Sequence, residues 1–166
     1  MLLFKPRIAV AFLAGLMALA VAACGAQPTR WDEAQDKTRG KKAVSTDAYE
    51  GSVFNKFFPK AESPFDLVYK QEKKGTAIAD LKQDGKPVAT LTIFDTVSNP
   101  DAITDYKEST QALAGFPLVA KGAKGTALLV NRRFQVQVRS TDDAFTEEDR
   151  KTWLKKFDLD GLAQLN

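Results

Sequence analysis

Thr76-Ala77-Ile78-Ala79-Asp80-Leu81-Lys82-Gln83-Asp84-Gly85-Lys86-Pro87-Val88-Ala89-Thr90-Leu91-Thr92-Ile93-Phe94 is the stretch that decides the fold. Ala77, Ala79 and Leu81 alternate with Thr76, Asp80 and Lys82, with Ile78 breaking the pattern. Ala89, Leu91 and Ile93 repeat the alternation over residues 88–96. Period-two patterning on both sides of Asp84-Gly85 predicts an antiparallel hairpin with one buried face. A two-residue turn would pair Gln83 with Lys86 and set Leu81 against Val88, which separates the apolar faces. A three-residue loop, Gln83-Asp84-Gly85, pairs Lys82 with Lys86, Ala79 with Ala89 and Ala77 with Leu91. It also places Gly85 where a bulge needs a left-handed residue. The three-residue loop is therefore expected.

Upstream, Leu67, Val68 and Tyr69 mark a further strand over 66–73. Before it, Val53, Phe54, Phe57 and Phe58 share one face of a short helix that Pro59 stops. These rings are expected to plug the core, with an exposed aromatic patch as the alternative. Downstream, Asn99 suits an N-cap, Pro100 the first helical position and Asp101 the helix dipole. Ile103, Tyr106, Thr110 and Leu113 form a stripe that Gly115 would close, so a helix is expected over 100–114. Phe116-Pro117-Leu118-Val119 and a Gly/Lys loop follow. A second hairpin is expected over 126–130 and 133–139. A turn at Asn131-Arg132 pairs Val130 with Arg133 and unites Ala127, Leu129, Phe134, Val136 and Val138, leaving Gln135, Gln137 and Arg139 outside. Arg132 is an awkward residue for positive φ, so one long strand is the alternative. A last helix starts near Thr146, whose spacing to Asp149 fits a capping box, and docks through Trp153, Leu154 and Phe157. The order of elements reads as α+β, an antiparallel sheet of about five strands with helices packed on it.

The chain has 166 residues, 44% of them hydrophobic, with 11 Phe, one Cys and no His. That supports one cored domain and argues against wholesale disorder. One Cys excludes an internal disulfide or a multi-thiolate metal site, and the lack of His excludes a histidine triad or an HExxH zinc site.

Lys5 and Arg7 precede the uncharged run Ile8–Ala20, and small residues lead to the sole cysteine, Cys24. The run is short for a bilayer span, which takes about 20 apolar residues. Val21-Ala22-Ala23-Cys24 resembles the lipobox of bacterial lipoproteins. The resemblance implies a signal peptide over 1–23, cleavage before Cys24 and a diacylglyceryl group on its sulfur. Several acyl chains anchor a protein stably where one does not. Gly25 is not the Asp that retains lipoproteins of this family in the inner membrane, so the outer membrane is a possible destination. Loss of Lys5 and Arg7 takes 24 basic residues to 22 against 21 acids, from +3 to +1. That removes the support for a nucleic-acid partner.

Residues 24–47 read as a polar tether, with Lys37-Thr38-Arg39-Gly40-Lys41-Lys42 diluted by nearby acids and Trp31 suited to a membrane interface or a docking contact. The globular domain is expected over 48–166. By order of elements, residues 50–160 resemble PsbP-like domains, some of which are lumenal lipoproteins; the resemblance carries no functional residues across.

The remaining motifs are ordinary. Gly122-Ala123-Lys124-Gly125-Thr126 lacks Walker spacing. Asp95, Asn99, Asp101 and Asp105 lack EF-hand spacing. Asp142-Asp143, Glu147-Glu148 and Asp158/Asp160 sit in loop or helix-start contexts, and Arg132-Arg133 reads as a solvated hairpin tip. No catalytic residue, metal or cofactor is assigned. The sequence points to a non-enzymatic, lipid-anchored binding or assembly module facing the periplasm or lumen, with a membrane contact through Cys24 and a protein partner. The alternatives are a carrier of an apolar ligand such as lipid or pigment, and a hydrolase built on Asp, Glu, Ser or Lys. Protein recovered from the membrane fraction should begin at a lipid-modified Cys24, and Cys24→Ser should leave the uncleaved precursor. Intact-mass analysis is the check, and an unmodified mature chain beginning elsewhere contradicts the assignment.

Overall fold

A computed structural model describes residues 44–165. The signal peptide, Cys24, Trp31, the Lys37–Lys42 segment and the tether up to residue 43 lie outside the described residues. The architecture is α+β, but the antiparallel sheet has seven strands rather than about five. These are β1 (Phe65–Lys73), β2 (Thr76–Gln83), β3 (Lys86–Asp95), β4 (Ala112–Leu113), β5 (Phe116–Ala120), β6 (Gly125–Val130) and β7 (Phe134–Ser140). Their spatial order is β1-β2-β3-β7-β6-β5-β4. Two meanders, β1–β3 and β4–β7, thus meet along one seam between β3 and β7, where Ala89 faces Ser140 and Asp95 faces Phe134.

The first hairpin turns on two residues, Asp84 (φ 50°) and Gly85 (φ 78°), and pairs Gln83 with Lys86. The expected three-residue loop is therefore corrected. A bulge does its work: pairing shifts after Lys82–Pro87, so that Leu81 faces Ala89 and Ala79 faces Leu91. The requirement that apolar faces coincide was sound, and the extra residue, Val88, sits in the strand instead of the turn.

The second hairpin differs in the opposite sense, with one residue more in its loop than the expected two. Arg133 N–H donates to Val130 O (3.0 Å), closing a left-handed turn over Asn131 (φ 49°) and Arg132 (φ 54°). Arg133 is then an extra residue, and Val130 pairs with Phe134. One inserted residue turns β6 over. Leu128 and Val130 join Phe134, Val136 and Val138 in the main core, while Ala127 and Leu129 face the opposite side with Tyr106.

The helix expected over 100–114 does not form. A 3-10 turn (Pro100–Ile103) leads into one α turn, α1 (Thr104–Lys107), and Asn99 makes no side-chain cap. Ser109 ends it: its hydroxyl donates to Leu118 O (2.6 Å) and accepts from Gln111 N–H (3.2 Å). Serine competes for backbone groups in this way, which weakens helices. Gly115 (φ 82°) is a hairpin residue between β4 and β5, not a helix terminus. These two strands account for the difference in strand count.

The main core lies between one sheet face and three short pieces: a 3-10 helix (Gly51–Phe57), α2 (Glu147–Leu154) and α3 (Leu159–Ala163). Thr146 caps α2 in a full capping box with Asp149, as expected. The Thr146 hydroxyl and N–H hold the Asp149 carboxyl below its ordinary pKa. Phe54, Phe57 and Phe58 are all buried, so the aromatic segment is core rather than exposed patch. Gly51 lets this helix lie on the β1–β2 hairpin, because a Cβ there would come within 2.5 Å of Thr76 O and 2.6 Å of Lys73 N. Phe54 stacks edge-on to Phe134 at 6.0 Å and to Tyr49 at 6.4 Å. Phe54→Ala should cost about 3–5 kcal/mol, a large share of a small domain's stability. Chemical denaturation checks this, and a loss below about 1 kcal/mol contradicts the packing described.

Candidate functional site

The ionisable groups divide into those that hold the fold together and those left at open grooves. Asp95, fully buried at the end of β3, belongs to the first class. Its Oδ1 accepts from Arg133 Nε (2.9 Å) and Val97 N–H (3.2 Å); its Oδ2 accepts from Arg133 Nη2 (2.8 Å) and Tyr49 N–H (3.2 Å). The hydrogen bond to Asp95 raises the Arg133 pKa further. Arg133 is thus an internal partner and not a solvated tip, which corrects the reading of Arg132-Arg133 for one of the two residues.

Arg150 is also buried, and uses hydroxyls: Nε donates to Thr126 Oγ1 and Nη1 to Ser140 Oγ, both at 2.9 Å. It fastens α2 to β6 and β7. The paired acids have local tasks. Asp142 Oδ1 accepts from Ala144 N–H, Asp143 pairs with Lys124, Glu147 and Glu148 share Lys151, and Asp158 Oδ1 accepts from Gly161 N–H at the start of α3. Lys124 and Lys151 hold the Asp143 and Glu147 carboxyls below their ordinary pKa. Asp95, Asn99, Asp101 and Asp105 are not brought together as ligands, since Asp95 holds Arg133 and Asp105 pairs with Lys121 at 2.7 Å. No group of three or more His, Cys, Asp or Glu that could hold a metal occurs among the described residues. The Gly122–Gly125 loop is a tight turn closed by Lys121 N–H to Gly125 O (2.9 Å).

A groove of about 790 Å³ runs along the end of the main core. Phe58, Phe65 and Phe157 line it, and Lys56, Lys60 and Lys156 share its walls with Glu62 and Asp158. The floor is rigid for physical reasons. Phe58 packs on Phe157 (5.3 Å) and Tyr69 (5.4 Å), and Phe65 sits edge-on to Trp153 (5.1 Å). Asp158 N–H donates to Phe57 O (3.0 Å), tying the α2–α3 junction to the 3-10 helix. Lys156 Nζ stands 4.3 Å from the Trp153 ring centroid and Lys56 Nζ 4.9 Å from that of Phe57, geometries that orient the ammonium groups over aromatic faces. Lys56, Lys60 and Lys156 stand against Glu62 and Asp158, so the lining carries one more positive than negative charge.

Sequence reasoning missed this site because its members are scattered. Phe58 and Phe157 read as core anchors, which they are, and nothing in linear spacing brings Lys60 and Lys156 to one groove. No helix of the described residues is long and apolar enough to cross a membrane. No protein family, no curated protein and no solved structure matches the chain.

Proposed function

We propose that this protein is a lipid-anchored, extracytoplasmic binding or assembly module of the bacterial envelope, tethered through Cys24. An acidic segment of a protein partner would dock in the groove of Phe58, Phe65 and Phe157. The observation that supports this reading is the pairing of a fixed aromatic floor with Lys56, Lys60 and Lys156. Apolar contact supplies binding energy in such grooves, while surrounding charge supplies orientation and rate of encounter. The chemistry invoked is recognition and not catalysis. The polar segment that precedes the folded domain would let it reach a partner beside the membrane.

A photo-crosslinking residue at position 60, in the full chain in its native membrane, tests the proposal. One discrete protein adduct is expected. It should weaken about tenfold when Lys56 and Lys156 are both changed to Glu, and should fall with added salt. An adduct pattern unchanged by the charge reversals contradicts the proposal.

A further inference from the structure

A second cavity lies on the opposite side of the sheet, away from the lysine-walled groove. It measures about 510 Å³ and is lined by Ile103, Tyr106, Lys107, Pro117, Leu129 and Arg132. Its volume falls within the ~300–1,000 Å³ common for small-molecule sites. The floor follows from the β6 inversion described above: the extra residue in the β6–β7 loop sends Leu129 to this face, where it packs with Tyr106 and Ile103. Tyr106 is held in place by its hydroxyl, which donates to Gln135 Oε1 (3.0 Å), while Lys121 Nζ stands 5.0 Å from its ring centroid. Burial, with Asp105 nearby, raises the Tyr106 hydroxyl well above its ordinary pKa, so it stays neutral.

The lining therefore combines an apolar wall, a neutral phenol and two cations, with no acidic side chain. Among the described residues neither Lys107 nor Arg132 makes an ion pair or a side-chain hydrogen bond, unlike Arg133, Arg139 and Arg150. The hairpin turn places Arg132: with Asn131 (φ 49°) it takes the left-handed conformation (φ 54°) that the turn requires. That conformation sets its guanidinium at the edge of an apolar cavity.

We infer that this cavity binds a single-chain anionic amphiphile, a long-chain fatty acid. Its alkyl chain would lie against Ile103, Pro117 and Leu129, and its carboxylate would meet Arg132 and Lys107. Guanidinium and carboxylate match in shape and charge, forming two parallel charge-assisted hydrogen bonds. Lys107 and Arg132 are solvent-exposed at the cavity edge, where a carboxylate can reach both while its chain stays inside. The site is independent of the lysine-walled groove and of the partner proposed there.

Dodecanoate titrated into the purified full chain, below its micelle concentration, tests this. The methyl signals of Ile103 and Leu129 are followed by NMR. Saturable shifts are expected at both. Arg132→Gly suits the backbone conformation, so the fold and melting temperature should be retained while affinity falls about tenfold. Lys107→Ala should weaken binding in the same direction, dodecanol should bind about tenfold more weakly than dodecanoate, and Lys60→Ala should change nothing. Absence of saturable shifts at Ile103 and Leu129, equal binding of dodecanol, or affinities of the Arg132 and Lys107 variants within about twofold of the parent overturn the inference.

Discussion

The Asp95–Arg133 pair is the constraint from which the rest of the structure follows. It lies at one end of the β3–β7 seam, where two meanders become one sheet. A carboxylate fully removed from water is costly unless charge and hydrogen bonds surround it. Here four donors converge on it, two from Arg133 and two from the backbone of Val97 and Tyr49. Arg133 Nη2 also donates to Asp47 O (2.8 Å), and its guanidinium lies over Tyr49 and Phe134, at 4.9 and 5.2 Å from the ring centroids. One ion pair therefore gathers β3, β7 and the segment that leads into the 3-10 helix.

Its consequences extend to both cavities. Arg133 is left out of the β6–β7 ladder but stays beside β3, where its carbonyl accepts from Thr96 N–H (3.0 Å) and Thr96 Oγ1 (2.8 Å). That makes Arg133 the extra residue that reverses β6, which puts Leu129 beside Tyr106 and Arg132 at the neighbouring cavity. On the other face, fixing Tyr49 positions the 3-10 helix that packs on it through Phe54, and the residue just after that helix, Phe58, floors the lysine-walled groove. The far end of the seam has its own fastening, Ser140 and Thr126 held by Arg150.

The sequence made some of this legible and hid the rest for definable reasons. Alternation in Ala77–Leu81 and Ala89–Ile93 identified the core faces, because burial of one sheet face leaves a period of two whatever the turn does. It could not say whether the odd residue sat in the turn or the strand, since a bulge and a longer loop restore the same parity. Thr146 to Asp149 was readable because capping is local. The helix over 100–114 misled because its stripe and termini were good, while the competing bonds of Ser109 reach Leu118, a partner that spacing alone does not reveal. Arg133 reads as a surface residue for the same reason: its partner lies 38 positions away. Both candidate cavities combine residues from distant segments, so composition and motif could suggest an apolar-ligand or partner-binding role without locating it.

A double-mutant cycle on Asp95 and Arg133 tests the organising role of the pair most directly. Asp95→Asn, Arg133→Met and the double variant would be compared by chemical denaturation. The account predicts that Arg133→Met, which strands a buried carboxylate, costs about 3–5 kcal/mol. It further predicts that the double variant recovers part of that loss, with a coupling above about 1 kcal/mol. Single losses that add to within about 0.5 kcal/mol would show that the two side chains act independently, and would contradict the claim that their pairing sets the structure.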